Sequence, residues 1–377
     1  MLSGTMVIDG LLVLFMTILL TQLLQKYATK LGLLDVPNDR SSHSNPTPRS
    51  AGIAMFFSYM SILLTLHTTF FTQHLGFFIG LVLVFLLGLY DDLKNSSPRL
   101  KLLIIALAAA LIFFIDDLAV DTLGHWFGFE ITLPYILAFL MTLFAVVGFT
   151  NALNLIDGLD GLAGSVSLII LASLYYIGFV YHDEFIMIVS FLVMASLVGF
   201  LLFNWYPASI FMGDSGSLVL GFVIATLAIK ATDYVSDTTV LFLAAVPVID
   251  TIIVMTRRIQ RGMSPFAPDR NHFHHKILML KGSVDASVHI LVSLQIILSV
   301  IGLLLRDKSD FINLMLFMVI LFIFFQALDD RKEHRNLLII SQSKMLLINF
   351  LQKITNCKTM WISAGILIFV ILVKIFS

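Results

Sequence analysis

Five short polar runs interrupt an apolar chain, each built from side chains that handle metal ions, phosphates or protons. Asp91-Asp92 directly follows Leu89-Tyr90 and precedes Lys94, Arg99 and Lys101. Adjacent carboxylates repel each other, so they call for a hard divalent cation or for neutralisation by the neighbouring lysines. In the run Asn151-Ala-Leu-Asn154-Leu-Ile-Asp157-Gly158-Leu-Asp160-Gly161, an unbroken helix turning about 100° per residue would point Asn151 and Asp160 in opposite directions. Gly158 and Gly161 permit a break that lets the polar groups converge. Asn204 opens a loop ending Phe211-Met212-Gly213-Asp214. There Asp214 suits a helix N-cap, a metal ligand or a phosphate site, and Phe211 offers an aromatic plane to a base. Arg270 with His272, His274 and His275 fits zinc or a diphosphate clamp, and the oxygen-donor acids elsewhere favour the clamp. Arg40, His43 and Arg49 lie in a proline-stiffened loop, where they can meet phosphate oxygens or snorkel around a rigid cap.

The elements that hold these runs are membrane helices. The chain is 59% apolar and 12% charged, with a mean hydropathy of +0.98, far greasier than soluble domains. Its net charge of −1 and the lack of a long basic run exclude a large nucleic-acid-binding face. One cysteine, Cys357, excludes an intrachain disulfide and a cysteine metal cage. Eleven apolar stretches are expected as spans: Met6 to Leu24, read as a retained span, Ala51 to Phe71, Leu75 to Tyr90, Leu100 to Ile115, Pro134 to Phe149, Leu162 to Tyr181, Phe185 to Phe203, Ser217 to Ile229, Val240 to Met255, Val288 to Leu305 and Phe311 to Leu328. Inside the ninth, Pro247 and Asp250 suggest a broken helix with a buried carboxylate, whose role is open between structure, for instance pairing with Arg257, and function. Residues 1–328 read as one all-α polytopic domain. The tail 329–377 reads as an interfacial helix and a candidate further span.

Sorting Lys and Arg by alternate loops puts Lys26, Lys30, Arg49, Lys94, Lys101, Arg257, Arg258 and Arg270 on one side, and only Lys230, Arg306 and Lys308 on the other. By the positive-inside rule the first side is cytoplasmic and the chain starts outside. Every acid-rich or amide-rich cluster falls on that cytoplasmic side, although the acids and amides were not used to choose it.

In this order, Asp91-Asp92, Asn-x-x-Asn-x-x-Asp-Gly-x-Asp-Gly, Phe-Met-Gly-Asp and His-x-His-His resemble the polyprenyl-phosphate N-acetylhexosamine-1-phosphate transferases. The likeness runs over Met6 to Leu305. It implies a bacterial inner-membrane enzyme, usually dimeric, that uses Mg²⁺, with Mn²⁺ as a substitute. The enzyme moves a sugar-1-phosphate from a UDP-sugar to undecaprenyl phosphate and releases UMP. By the family pattern Asp214, with Asp92, would hold the metal. Asp91 and Asp92 would be the acidic pair near the lipid phosphate, and Asp157 would join them in catalysis. Asn154 would line the cleft, and Asp160 and Asn204 would contact substrate. Phe211 would stack on uracil, and Arg40, His43, Arg270, His272, His274 and His275 would bind diphosphate or sugar. The chain departs from many relatives in having Ala51-Gly52 where they carry two glycines. Its first-loop wording is closer to members that initiate O-antigen or capsule, which leaves the sugar open among GlcNAc, GalNAc and 6-deoxy N-acetylhexosamines. The rival reading is a proton- or ion-coupled transporter, which would need acids at mid-span and two similar halves; apart from Asp250 the acids sit at helix ends.

Overall fold

The computed structural model describes residues 4–35, 37, 46–264 and 272–327. Arg40, His43, Arg270 and the tail from 329 lie outside the described residues. In chain order the elements are α1 (Gly4–Leu31), β1 (Leu34–Asp35), β2 (Thr47–Pro48), α2 (Ala51–Leu66), α3 (Thr68–Gln73), α4 (Leu75–Lys94), α5 (Pro98–Ile115), β3 (Thr122–Trp126), β4 (Phe129–Thr132), α6 (Tyr135–Ile156), α7 (Leu162–Tyr181), α8 (Glu184–Asn204), α9 (Asp214–Ala231), α10 (Asp237–Leu243), α11 (Ala245–Gln260), α12 (Phe273–Lys281), α13 (Val284–Leu305) and α14 (Asp310–Ala327).

Nine of the eleven apolar stretches follow a single helix over their described residues, whereas Ala51 to Phe71 is divided between α2 and α3 at His67, and Val240 to Met255 between α10 and α11. Among the described residues eight helices are long and apolar enough to cross a membrane, and the bent pair α10–α11 makes a ninth. α2 is apolar over 16 residues, and α14 over Asp310–Gln326. Several helices outrun their apolar stretches: α1 continues through Lys26 and Lys30, whose Nζ atoms lie 5.7 and 5.8 Å from the Tyr27 ring centroid.

Burial separates the centre of the bundle from its lipid-facing rim. α9 is 83% buried over its apolar window, against 28% for α1 and α5. The rim carries exposed Leu11, Phe15, Leu19, Leu103 and Phe114, as a membrane-facing surface requires. The centre carries small residues that let backbones approach. A methyl group on Gly52 would lie 2.2 Å from the Gly216 backbone nitrogen, so α2 and α9 meet backbone to backbone. Ala51 beside it is fully buried without such a clash, which explains why this chain needs a glycine only at the second position.

The ninth span breaks as Pro247 suggests, but at Ala244, with an 88° bend between α10 and α11. Proline has no N–H for the Leu243 carbonyl four residues back, and its ring crowds that carbonyl. A freed carbonyl in an apolar interior is costly unless something else donates to it. Gln295 of α13, fully buried, does so: its Nε2 donates to Leu243 O at 2.7 Å, and its Oε1 accepts from Val246 N at 3.0 Å. One amide thereby replaces both broken helix bonds.

At the far end of the bundle β3 and β4 form an antiparallel hairpin between α5 and α6. Asp310, at the start of α14, accepts from His125 N (2.8 Å) and Thr238 Oγ1 (2.9 Å), fixing hairpin, α10 and α14 together.

Gln295→Leu fills the same space but leaves the Leu243 carbonyl and the Val246 amide unpaired, at about 2 kcal/mol or more. The thermal midpoint in detergent is expected to fall by several degrees. An unchanged midpoint for Gln295→Leu would show that the elbow does not depend on this amide.

Candidate active site

The N-terminal end of α9 is the point on which all five polar loops converge. Gly213, in the left-handed region at φ 74°, precedes it, and no side chain of its own loop caps it. Asp92 of α4 does that work instead: its Oδ1 accepts from Asp214 N at 2.8 Å and its Oδ2 from Ser215 N at 3.0 Å. The expectation that Asp214 caps the helix is thus corrected. Capping from another helix leaves the Asp214 carboxylate free to face the cleft. Asp92 is only 2% exposed, and a Cβ on Gly213 would lie 2.7 Å from its carboxylate. Arg49 closes the arrangement by donating from Nη2 to Asp92 O at 2.6 Å.

Loop one reaches α9 through backbone pairing. β1 and β2 pair Leu34 with Pro48 and Asp35 with Thr47. Phe211 N then donates to Pro48 O (2.7 Å), Ala51 N donates to Phe211 O (3.2 Å), and Gly52 N donates to Met212 O (2.9 Å). Phe211 is thereby held half-buried in the wall of the cleft.

Asp91 and Asp214 share one cation. Lys101, in the first turns of α5, lies 2.8 Å from Asp91 Oδ2 and also contacts Asp214 Oδ2. Ser96 adds N–H and O–H bonds to Asp91 Oδ1, both 2.6 Å. Asn154 donates from Nδ2 to Asp214 Oδ1 at 3.1 Å and to Ser217 Oγ at 2.8 Å. Lys101 was expected only as a charge neutraliser near Asp91. Its reach to Asp214 depends on α5 and α9 both packing against α4, and sequence spacing carries no signal of that.

Loop three breaks as its glycines predict. α6 stops at Ile156, and Gly161 takes the left-handed conformation (φ 76°) ahead of α7. Asp160 and Asn204 turn out to brace the loops. Asp160 Oδ2 accepts from Ala208 N at 2.9 Å, while Asn204, 5% exposed, accepts from Gly161 N and donates to Ile210 O, both at 2.9 Å. Asp157 is different. Its carboxylate makes no hydrogen bond among the described residues, and burial followed by the charges of Asp214, Asp92 and Asp160 pushes it up to about 7.

The histidines divide between support and cleft. His272 Nδ1 lies 3.0 Å from Asp250 Oδ2. His274 is 1% exposed, and burial pushes it down to about 3, so it stays neutral at physiological pH. A Cβ on Gly158 would sit 2.6 Å from His274 Nε2, so that glycine serves to admit an imidazole. Only His275 of the three lines the cleft, a space of about 330 Å³ shared with Arg49, Asn154, Asp157, Asp160, Phe211 and Asp214. Among the described residues no three His, Cys, Asp or Glu side chains gather into a metal cage, so the zinc alternative finds no ligand set there.

Asn204→Ala removes two buried bonds between loops three and four, about 2 kcal/mol in all. Amide exchange over 205–213 is expected to accelerate at least about tenfold while α7 and α8 stay protected. Unchanged exchange would remove Asn204 as the brace.

The comparison with known proteins agrees with this geometry. The sequence profile described as Glycosyl transferase family 4 matches residues 74–232, which holds the Asp91, Asn154 and Asp214 runs. A probable undecaprenyl-phosphate N-acetylglucosaminyl 1-phosphate transferase of Bacillus subtilis (strain 168) is 32% identical over 317 residues, covering 83% of this chain and 88% of the relative. The undecaprenyl-phosphate alpha-N-acetylglucosaminyl 1-phosphate transferase of Escherichia coli (strain K12) is 31% identical over 317 residues, covering 80% and 84%. The protein of that name from Yersinia pestis is 30% identical over 310 residues, covering 78% and 84%. With the apolar bundle and the five converging loops, these matches establish that this multi-pass membrane chain belongs to glycosyl transferase family 4, the polyprenyl-phosphate N-acetylhexosamine-1-phosphate transferases.

Proposed function

We propose that this protein transfers GlcNAc-1-phosphate, or a closely related N-acetylhexosamine-1-phosphate, from a UDP-sugar to undecaprenyl phosphate in the bacterial inner membrane. UMP is the second product, and the lipid-linked sugar starts a surface glycan such as O-antigen. The observation that carries this reading is the convergence of all five polar loops on one cleft at the end of a membrane bundle. Relatives named for GlcNAc-1-phosphate transfer to undecaprenyl phosphate support the choice of sugar and lipid.

In the reaction a phosphate oxygen of the lipid attacks the sugar-bearing phosphorus of the donor. A P–O bond to the lipid phosphate forms and the P–O bond to UMP breaks. A phosphate monoester has its second pKa near ~6, so the nucleophile is largely deprotonated at neutral pH and needs no dedicated base. Positioning and charge compensation then supply most of the rate. Lys101 and Arg49 bring positive charge to the phosphates, His275 meets the diphosphate or sugar, and Phe211 offers its ring to uracil. Asp91 orients Lys101. Asp92 acts through α9, whose first turn it holds in place.

The donor set fits a divalent cation. Among the described residues Asp91 and Asp214 share Lys101, Arg49 donates to the backbone carbonyl of Asp92, and Asp157 has no hydrogen-bond donor. Mg²⁺ commonly takes one or two carboxylates, with water and substrate phosphates completing its shell, so a three-ligand protein cage is not required. Asp214 and Asp157 are the residues that would hold it, and Mn²⁺ would substitute. When bound, the ion neutralises charge on the diphosphate.

The direct test is UMP release by purified protein given undecaprenyl phosphate, Mg²⁺ and a panel of UDP-N-acetylhexosamines, with and without EDTA. Metal-dependent release with UDP-GlcNAc or one related donor is expected. Silence across the panel from folded protein would overturn the reading. Asp214→Asn is expected to lower turnover at least about a hundredfold, which saturating metal does not restore.

Asp157 also sets a pH dependence. Its pKa of about 7 means that protons occupy it below that value and compete with a cation, so metal affinity rises with pH and levels off above it. The Mg²⁺ concentration for half-maximal rate is expected to fall between about pH 6 and about pH 8, and Asp157→Asn is expected to flatten that dependence. An equally steep dependence in Asp157→Asn would remove Asp157 from the metal site.

A further inference from the structure

The buried carboxylate of Asp250 has no place in the transfer chemistry. It lies in α11, just past the 88° elbow that Gln295 holds, and is 2% exposed. Its Oδ2 is 3.0 Å from His272 Nδ1 and 4.0 Å from His274 Nδ1. From there the imidazoles run in sequence to the cleft. His272 and His274 are stacked with centroids 5.7 Å apart, and His274 and His275 lie 4.3 Å apart. His274 fills the space over Gly158, and His275 lines the cleft.

Stability alone does not account for this arrangement. Replacing a buried, hydrogen-bonded polar or ionic pair by apolar side chains of similar size is commonly neutral or stabilising. A pair retained at this depth acts by geometry, because a hydrogen bond fixes the plane and tautomer of an imidazole where apolar packing does not.

We propose that Asp250 is a positioning residue for the donor side of the cleft, acting through His272 and His274 to hold His275 against the nucleotide sugar. This deepens the transferase reading and rests on it for the identity of the ligand.

The test uses full-length protein in nanodiscs with UDP-GlcNAc and undecaprenyl phosphate. Because Asp250→Leu alone strands a buried imidazole, the paired variant D250L/H272L is used, together with H275A and the triple variant. The paired variant is expected to keep the wild-type thermal midpoint, raise KM for UDP-GlcNAc about tenfold and leave KM for undecaprenyl phosphate unchanged. H275A is expected to raise the same KM, and the triple variant to add nothing further, since both changes interrupt one route. Amide exchange across 272–278 is expected to accelerate in the paired variant without change in α9. Additive losses in the triple variant, equal rises in both KM values, or unchanged exchange would each overturn the proposal. Accelerated exchange in a protein whose wild type transfers no sugar phosphate would keep the positioning role and overturn the transferase reading instead.

Discussion

The carboxylate of Asp92, laid across the first two amides of α9, is the contact on which the rest of the site depends. A helix start leaves donors without partners, and at the end of a buried helix they must be met by protein. A residue of the local loop would be the ordinary answer. Here the acceptor arrives from α4, so the cap also ties two helices together, and Gly213 is the residue that leaves room for it. Because Asp214 is not spent as a cap, its side chain is available to Lys101, to Asn154 and to the cleft.

The neighbouring contacts follow from that choice. Arg49 grips the Asp92 carbonyl and belongs to the segment that pairs with Phe211. Loop four is braced a second time by Asp160 and Asn204. Three of the acidic or amide residues, Asp92, Asp160 and Asn204, therefore serve the backbone, while Asn154, Asp157 and Asp214 line the cleft without such a bond to a backbone amide or carbonyl. A buried carboxylate without a donor is costly. At Asp157, which burial and its acidic neighbours push up to about 7, protonation meets part of that cost, and a bound cation would have to displace the proton.

Much of this was legible in the chain itself. The lysine and arginine count put the five loops on one side, and they meet there. Gly161 broke the third loop where convergence required it. The spans were visible because lipid tolerates only helices or closed barrels, so long apolar runs have few alternatives. Other features were not legible. Asp91 and Asp92 are adjacent and identical, and only the packing of α4 against α9 decides which one caps and which one meets Lys101. The ninth span was marked by Pro247, but its break falls at Ala244, because the carbonyl that proline deprives lies four residues back. The partner that repairs it, Gln295, is 52 positions further on from Leu243. Gly158 read as a hinge, yet its packing role is to admit His274. In each case the sequence carried the residue type, while the meaning came from a neighbour on another helix.

The account stands or falls on the cleft being the place where the nucleotide sugar binds. A structure of the protein in nanodiscs with UDP-GlcNAc and Mg²⁺ tests this most directly. The account predicts uracil against Phe211, the diphosphate between Lys101 and His275, and an ion touching Asp214 and Asp157. Nucleotide density outside the space lined by Asp157, Phe211 and Asp214, or an ion held by neither carboxylate, would contradict it.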